Sequence, residues 1–178
     1  MQNHRGKGDL KSVKTKNALN AAMLSLLEKR SFEKITVRNL CEKALISRAA
    51  FYAHFIDKYD FLKIWLASLM PPAATTPKNY DRLVELVNQT IQKYEKPLRN
   101  LIRDAGTETM GILFDLVRST LSFDTTRKKD DSKHRVFSIF YTGGMTYYLL
   151  EKLKDNPLAE VAPMNEHLYE IIKYFQIF

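Results

Sequence analysis

From Asp9 to Met70 the chain has neither glycine nor proline, and both are absent again from Ile112 to Thr142. Hairpins need such residues at their turns, so a strand-rich fold is excluded and helices are expected. One cysteine in 178 residues excludes an internal disulfide and fits a reducing compartment, so a cytoplasmic location is expected. No apolar run reaches the roughly 18 residues of a membrane-spanning helix. The opening MQNHRGKGDLKSVKTK lacks the apolar stretch of a secretory leader, so no membrane partner is expected. The sets that carry chemistry are missing too. His4, His54, His134 and His167 show no ligand spacing, and the sequence has no nucleophile–base pair and no phosphate-binding glycine loop. Neither an enzyme nor a cofactor is expected.

What is present is an uneven charge. The chain carries 28 Lys and Arg against 20 Asp and Glu, a net +8. Residues 1–70 hold 13 of the former and 6 of the latter, or +7, and residues 71–178 hold 15 and 14, or +1. A basic N-terminal part for a polyanion and an ordinary near-neutral C-terminal part follow. An apolar content of 45% with 27% charged residues excludes wholesale disorder.

The glycines and prolines cluster between helix-periodic segments. Pro71-Pro72-Ala73-Ala74-Thr75-Thr76-Pro77 reads as a linker at the charge boundary. Leu19, Ala22, Met23, Leu26 and Leu27 form an i, i+3, i+4, i+7, i+8 stripe. Tyr80, Leu83, Val84, Val87, Ile91 and Tyr94 form a second, and Met110, Leu113, Phe114, Val117 and Leu121 a third. Leu168, Ile171, Ile172, Phe175 and Phe178 form a fourth, with Asn165 as its N-cap. Residues 136–153 are apolar on nearly every face, as in a helix buried on several sides or docked to a partner. The polar stretch FDTTRKKDDSK, residues 123–133, reads as a loop.

Three short helices are expected between residues 35 and 70. Thr36 caps the first, which carries Val37, Leu40, Cys41 and Ala44. Leu45-Ile46 breaks the chain, and Ser47 caps a second helix from Arg48 to Phe55, with Phe51 and Phe55 at i, i+4. Asp57 caps the third, with Asp60 in capping-box position. Two short helices joined by about three residues form a helix-turn-helix, whose second helix offers its free face to the major groove. Ala49, Ala50 and Ala53 keep that helix slim. Cys41, beside Leu40 on the apolar stripe, reads as a small core residue.

ITVRNLCEKALISRAAFYAHFIDKYDFL, Ile35 to Leu62, resembles the DNA-binding signature of TetR/AcrR-type transcriptional regulators, and the likeness extends over roughly residues 12–66. Leu45 stands where that family usually has glycine in the turn, a position that often needs a left-handed backbone costing a non-glycine residue about 1–2 kcal/mol. The resemblance implies an all-α fold: a helix-turn-helix three-helix module, then a C-terminal helical ligand-binding and dimerisation domain. In this chain it implies a basic flexible arm at 1–11, a DNA-binding domain at 12–56, a connecting helix at 57–70 and an effector-binding and dimerisation domain at 71–178. Thr36, Tyr52, His54 and Lys58 match phosphate-contacting positions, and Arg38 is a further candidate phosphate contact. Ser47, Arg48, Ala49 and Ala50 match the start of the recognition helix, where base edges are read. Phe51, Phe55, Leu40 and Cys41 match core positions.

The same resemblance implies a homodimer on a palindromic double-stranded DNA operator. The pairing helices would be His134–Lys154 and Asn165–Ile177, with Tyr147, Leu150, Leu168, Ile171, Ile172 and Phe175 at the interface. Tyr94, Met110, Phe114, Phe137, Phe140 and Tyr141 are the candidates for a pocket holding a small-molecule effector. The adjacent Gly143 and Gly144 read as a site of close helix approach. The expected function is a ligand-responsive repressor. The alternatives are an activator of the same family, or a helical interaction protein that has lost DNA binding.

Overall fold

The computed structural model describes residues 4–70, 89–120 and, within 139–154, residues 139, 143, 144, 146–148, 150, 151, 153 and 154. The described residues are helices and their connections, with no strand among them. In order they form α1 (His4–Leu27), a 3-10 turn (Phe32–Lys34), α2 (Val37–Ala44), α3 (Arg48–Tyr52), α4 (Lys58–Leu69), α5 (Glu95–Ile102) and α6 (Thr107–Thr120). Residues 89–93 are helical as well, as are described residues of 139–153. None of these helices is long and apolar enough to cross a membrane.

The chain divides into two compact units. The first joins Met1–Leu69 with Lys96–Met110, and the second joins Met70–Glu95 with Gly111–Phe178. The break at residue 70 falls beside the expected linker. The return of residues 96–110 to the first unit has no counterpart in the composition.

The first unit is built on the α1 stripe. Leu19, Met23 and Leu27 are fully buried, with Ala22 and Leu26 nearly so. The helix starts at His4, so residues 4–11 of the segment expected as a flexible arm are helical. At its end the backbone tightens, with Lys29 N–H donating to the Leu26 carbonyl. α2 packs on α1 and α3 on α2. Phe32, Ile35, Leu40, Cys41, Phe51, Phe55, Phe61, Leu62, Trp65 and Leu66 complete the core. Phe51, Phe55 and Phe61 interlock, with ring centroids 4.9–6.1 Å apart, a spacing at which aromatic pairs add to the area they bury. From the later segment, Pro97, Leu98, Asn100 and Leu101 are buried in α5. Pro97 sits in the first turn, where its missing N–H leaves no helical bond unmade.

In the described part of the second unit, Ile91, Thr146 and Leu153 are buried. The third stripe is only partly covered. Met110, Leu113 and Val117 are half-buried and Phe114 is 42% exposed, whereas Thr109, one position before the stripe, is fully buried. Leu121, the fourth stripe and its Asn165 cap lie outside the described residues, as do Tyr80, Leu83, Val84, Val87 and residues 123–133.

Candidate nucleic-acid interface

Local chemistry fixes each short helix. Thr36 accepts from the Asn39 N–H at 3.1 Å while the Asn39 side chain accepts from the Thr36 N–H at 3.2 Å. This capping box uses asparagine where glutamate or glutamine is commoner. The Thr36 hydroxyl also donates to Asn39 Oδ1 at 3.0 Å, so it is committed within the box. α2 ends at Leu45, whose φ of 55° and ψ of 41° are left-handed. Its N–H bonds to the Cys41 and Glu42 carbonyls, and its side chain is 92% exposed. The turn therefore keeps the left-handed geometry that usually calls for glycine and carries the strain of a leucine there.

Ser47 Oγ accepts from the Ala50 N–H at 3.1 Å and starts α3. That helix is shorter than its sequence pattern. It ends at Tyr52, and Ala53 closes it by donating to the Ala49 carbonyl, where two full turns to Phe55 were expected. His54 and Phe55 N–H groups both turn back to the Phe51 carbonyl, which keeps Phe55 in the core without a second helical turn. Asp57 Oδ1 caps α4, accepting from the Tyr59 and Asp60 N–H groups at 2.8 Å each. Asp60 returns a bond, but to the Ile56 N–H at 3.0 Å, one residue before the position expected of a capping box.

α3 is two-sided. Phe51 is fully buried, and Cys41 on α2 is buried too. Burial pushes the Cys41 thiol up, against the thiolate, as suits a core residue. On the other side Ser47, Arg48, Ala49, Tyr52 and Ala53 are exposed, and Ala50 and His54 are half-buried. Tyr52 is 49% exposed with its ring edge-on to Phe51 at 5.4 Å, so the ring leans on the core and the hydroxyl end is outside. Ser47 uses its oxygen as an acceptor in the cap, which leaves its O–H able to donate outward.

Arg38 stands 77% exposed on α2, its Nε 2.7 Å from Glu42 Oε1. That hydrogen bond raises the guanidinium pKa further. A surface pair of this kind is easily exchanged for another anion.

Lys58 is turned differently from its companions. Its side chain is 16% exposed, and Nζ donates to the Phe32 and Glu33 carbonyls at 3.3 and 3.2 Å. It lies 3.6 Å from Glu33 Oε2 and over the Phe32 and Tyr59 rings, 4.6 and 4.9 Å from their centroids. This places its charge against the 3-10 turn.

Glu33 was not singled out in the sequence. Its Oε2 accepts from Tyr59 Oη at 3.0 Å, and its Oε1 accepts from Thr109 Oγ1 at 2.8 Å and the Gly106 N–H at 3.3 Å. Burial pushes its carboxyl up, but these three hydrogen bonds and the Lys58 charge together hold it below the usual carboxylate range. The partners lie 25 to 76 positions away along the chain, beyond any periodic signal.

Of the candidate effector residues, Tyr94 and Met110 are half-buried and Phe114 is exposed. Phe137, Phe140 and Tyr141 lie outside the described residues. Of the candidate interface residues, Tyr147 is 65% exposed and Leu150 is half-buried, whereas Leu168, Ile171, Ile172 and Phe175 lie outside the described residues.

A capped helix pair joined by a three-residue turn with Leu45 left-handed, and with a small-residue, partly basic face outward, is a helix-turn-helix DNA-binding head. Residues 19–63 match the model of the bacterial regulatory proteins of the tetR family. No curated protein matches the chain. The stretch 19–63 is a DNA-binding domain of the TetR type, and it supports a DNA-binding transcriptional regulator.

Proposed function

We propose that the protein works as a homodimer on a near-palindromic operator and represses transcription until a small molecule enters its second unit. The observation that carries the reading is the two-sidedness of α3, with Phe51 buried and Ser47, Arg48, Ala49 and Tyr52 outward. Arg48 and the alanines enter the groove and meet base edges, while Tyr52, His54, Arg38 and the capped start of α2 at Thr36 meet phosphates. The +7 of residues 1–70 supplies the counterion-release part of affinity. Arg5, Lys7 and Lys11 are part of that charge.

Dimerisation is supported by the apolar excess of residues 136–153 and by the exposure of Ile139 and Tyr147 within it. Two heads related by a two-fold axis read two half-sites one or more helical turns apart. An effector acts by binding the DNA-free arrangement more tightly, with a coupling of about 1–3 kcal/mol. The test is selection of genomic fragments by the purified protein. An inverted-repeat motif is expected, and its neighbouring genes point to the effector. Recovery of no motif, together with no binding to random duplex at low salt, overturns the reading.

A further inference from the structure

α6 begins at Thr107, and the residue before it, Gly106, has no side chain with which to cap it. Its start is tied from elsewhere in the chain. The Gly106 N–H and the Thr109 hydroxyl both reach Glu33 Oε1, so a carboxylate of the 3-10 turn sits at the start of α6, where the helix dipole favours negative charge. The other oxygen of the same carboxylate takes Tyr59 Oη and faces Lys58 Nζ. Those two residues open α4, the helix that follows directly from α3.

We propose that Glu33 is a latch by which the start of α6 sets the position of the first turn of α4, and so the DNA grip of the head. The inference rests on the reading of the chain as a DNA-binding regulator and adds to it a positioning residue outside the DNA-facing set. α6 is continuous from Thr107 to Thr120, and its first residues, to Met110, belong to the first unit while Gly111 onward belongs to the second. Gly106 and Thr109 bear on Lys58 and Tyr59 through the one Glu33 carboxylate. Thr109 is fully buried, so its hydroxyl has no water to turn to when the bond to Glu33 is broken.

The test uses the full-length protein, hydrogen exchange of the Tyr59, Asp60 and Phe61 amides, and affinity for the duplex recovered by genomic selection. Thr109→Val keeps the shape and removes the donor. It is expected to speed those amides at least threefold and to weaken the duplex at least threefold. Thr109→Ser is expected to restore both, and Thr109→Val added to Glu33→Gln is expected to do no further harm. Exchange and affinity that match wild type in Thr109→Val overturn the latch. Faster exchange with unchanged affinity also overturns it, because the contact is then a structural tie alone. If wild type selects no duplex, the DNA reading and the latch's effect on grip fail together. If wild type binds and the variants bind equally, the latch fails by itself.

Discussion

Asn100 of α5 donates its side-chain N–H to the Leu27 carbonyl at the end of α1, at 2.6 Å and buried from solvent. The bond ties two segments 73 residues apart and satisfies a carbonyl that α1 itself leaves unpaired at its last turn. Its partner atom, Asn100 Oδ1, has no hydrogen bond among the described residues. Asn100→Ala removes the donor and strands the Leu27 carbonyl. A loss of about 1–3 kcal/mol is expected, read as a lower urea midpoint at unchanged slope. An unaltered midpoint would show that solvent reaches Leu27 once the side chain is cut back.

Leu45 gives the opposite expectation. It is left-handed and 92% exposed, so it contributes strain without burial. Leu45→Gly removes a penalty of about 1–2 kcal/mol and returns part of it as unfolded-chain entropy, leaving a net gain of about 0.5–1 kcal/mol. Thermal unfolding checks the sign, and a lowered Tm would contradict the strain argument.

The Glu33 carboxyl is held below its ordinary range in the folded protein by hydrogen bonds and by Lys58, in excess of the upward push of burial. A carboxyl lowered on folding contributes stability that is fully present above its unfolded value. That stability drains away as the pH falls through the folded value. Acid titration of wild type against Glu33→Gln is expected to show a shallower acid limb in the variant. Parallel curves would mean that the carboxylate charge plays no part.

On DNA the two sides of the reading surface are expected to separate. Tyr52→Phe should weaken binding to all sequences about equally, whereas Arg48→Ala should relax preference at particular base pairs, costing about 1–3 kcal/mol against the best site. Competition gel shifts with the selected duplex and its point variants distinguish the two. Identical behaviour of both variants and wild type would remove Tyr52 and Arg48 from the interface.

The fold of the head was largely legible in the sequence because its signals are local. The α1 stripe from Leu19 to Leu27 and the caps Thr36, Ser47 and Asp57 each act within one or two turns of chain. Phe51 and Phe55 were rightly placed inside, but the i, i+4 pattern implied two helical turns. Phe55 reaches the core from a turn beyond the helix, and side-chain spacing does not distinguish the two. Asn39 was missed although it stands at the box position, because asparagine is an uncommon partner there. Lys58 was expected at a phosphate contact, and the carbonyls of Phe32 and Glu33 that hold its ammonium are brought near only by folding. The Glu33 node and the Asn100 bond were invisible for the same reason: their partners are tens of residues distant. In α6 the periodic stripe from Met110 is at most half-buried in its described residues, whereas the fully covered position is Thr109, whose hydroxyl is satisfied by a carboxylate that periodicity does not register.

Trp65 is the chain's one tryptophan and is 1% exposed on α4. All indole emission from this protein therefore originates within seven residues of Lys58, on the same helix. Unfolding of the reading head carries an optical signature of its own, and the near-neutral part of the chain, lacking any indole, is dark in that channel.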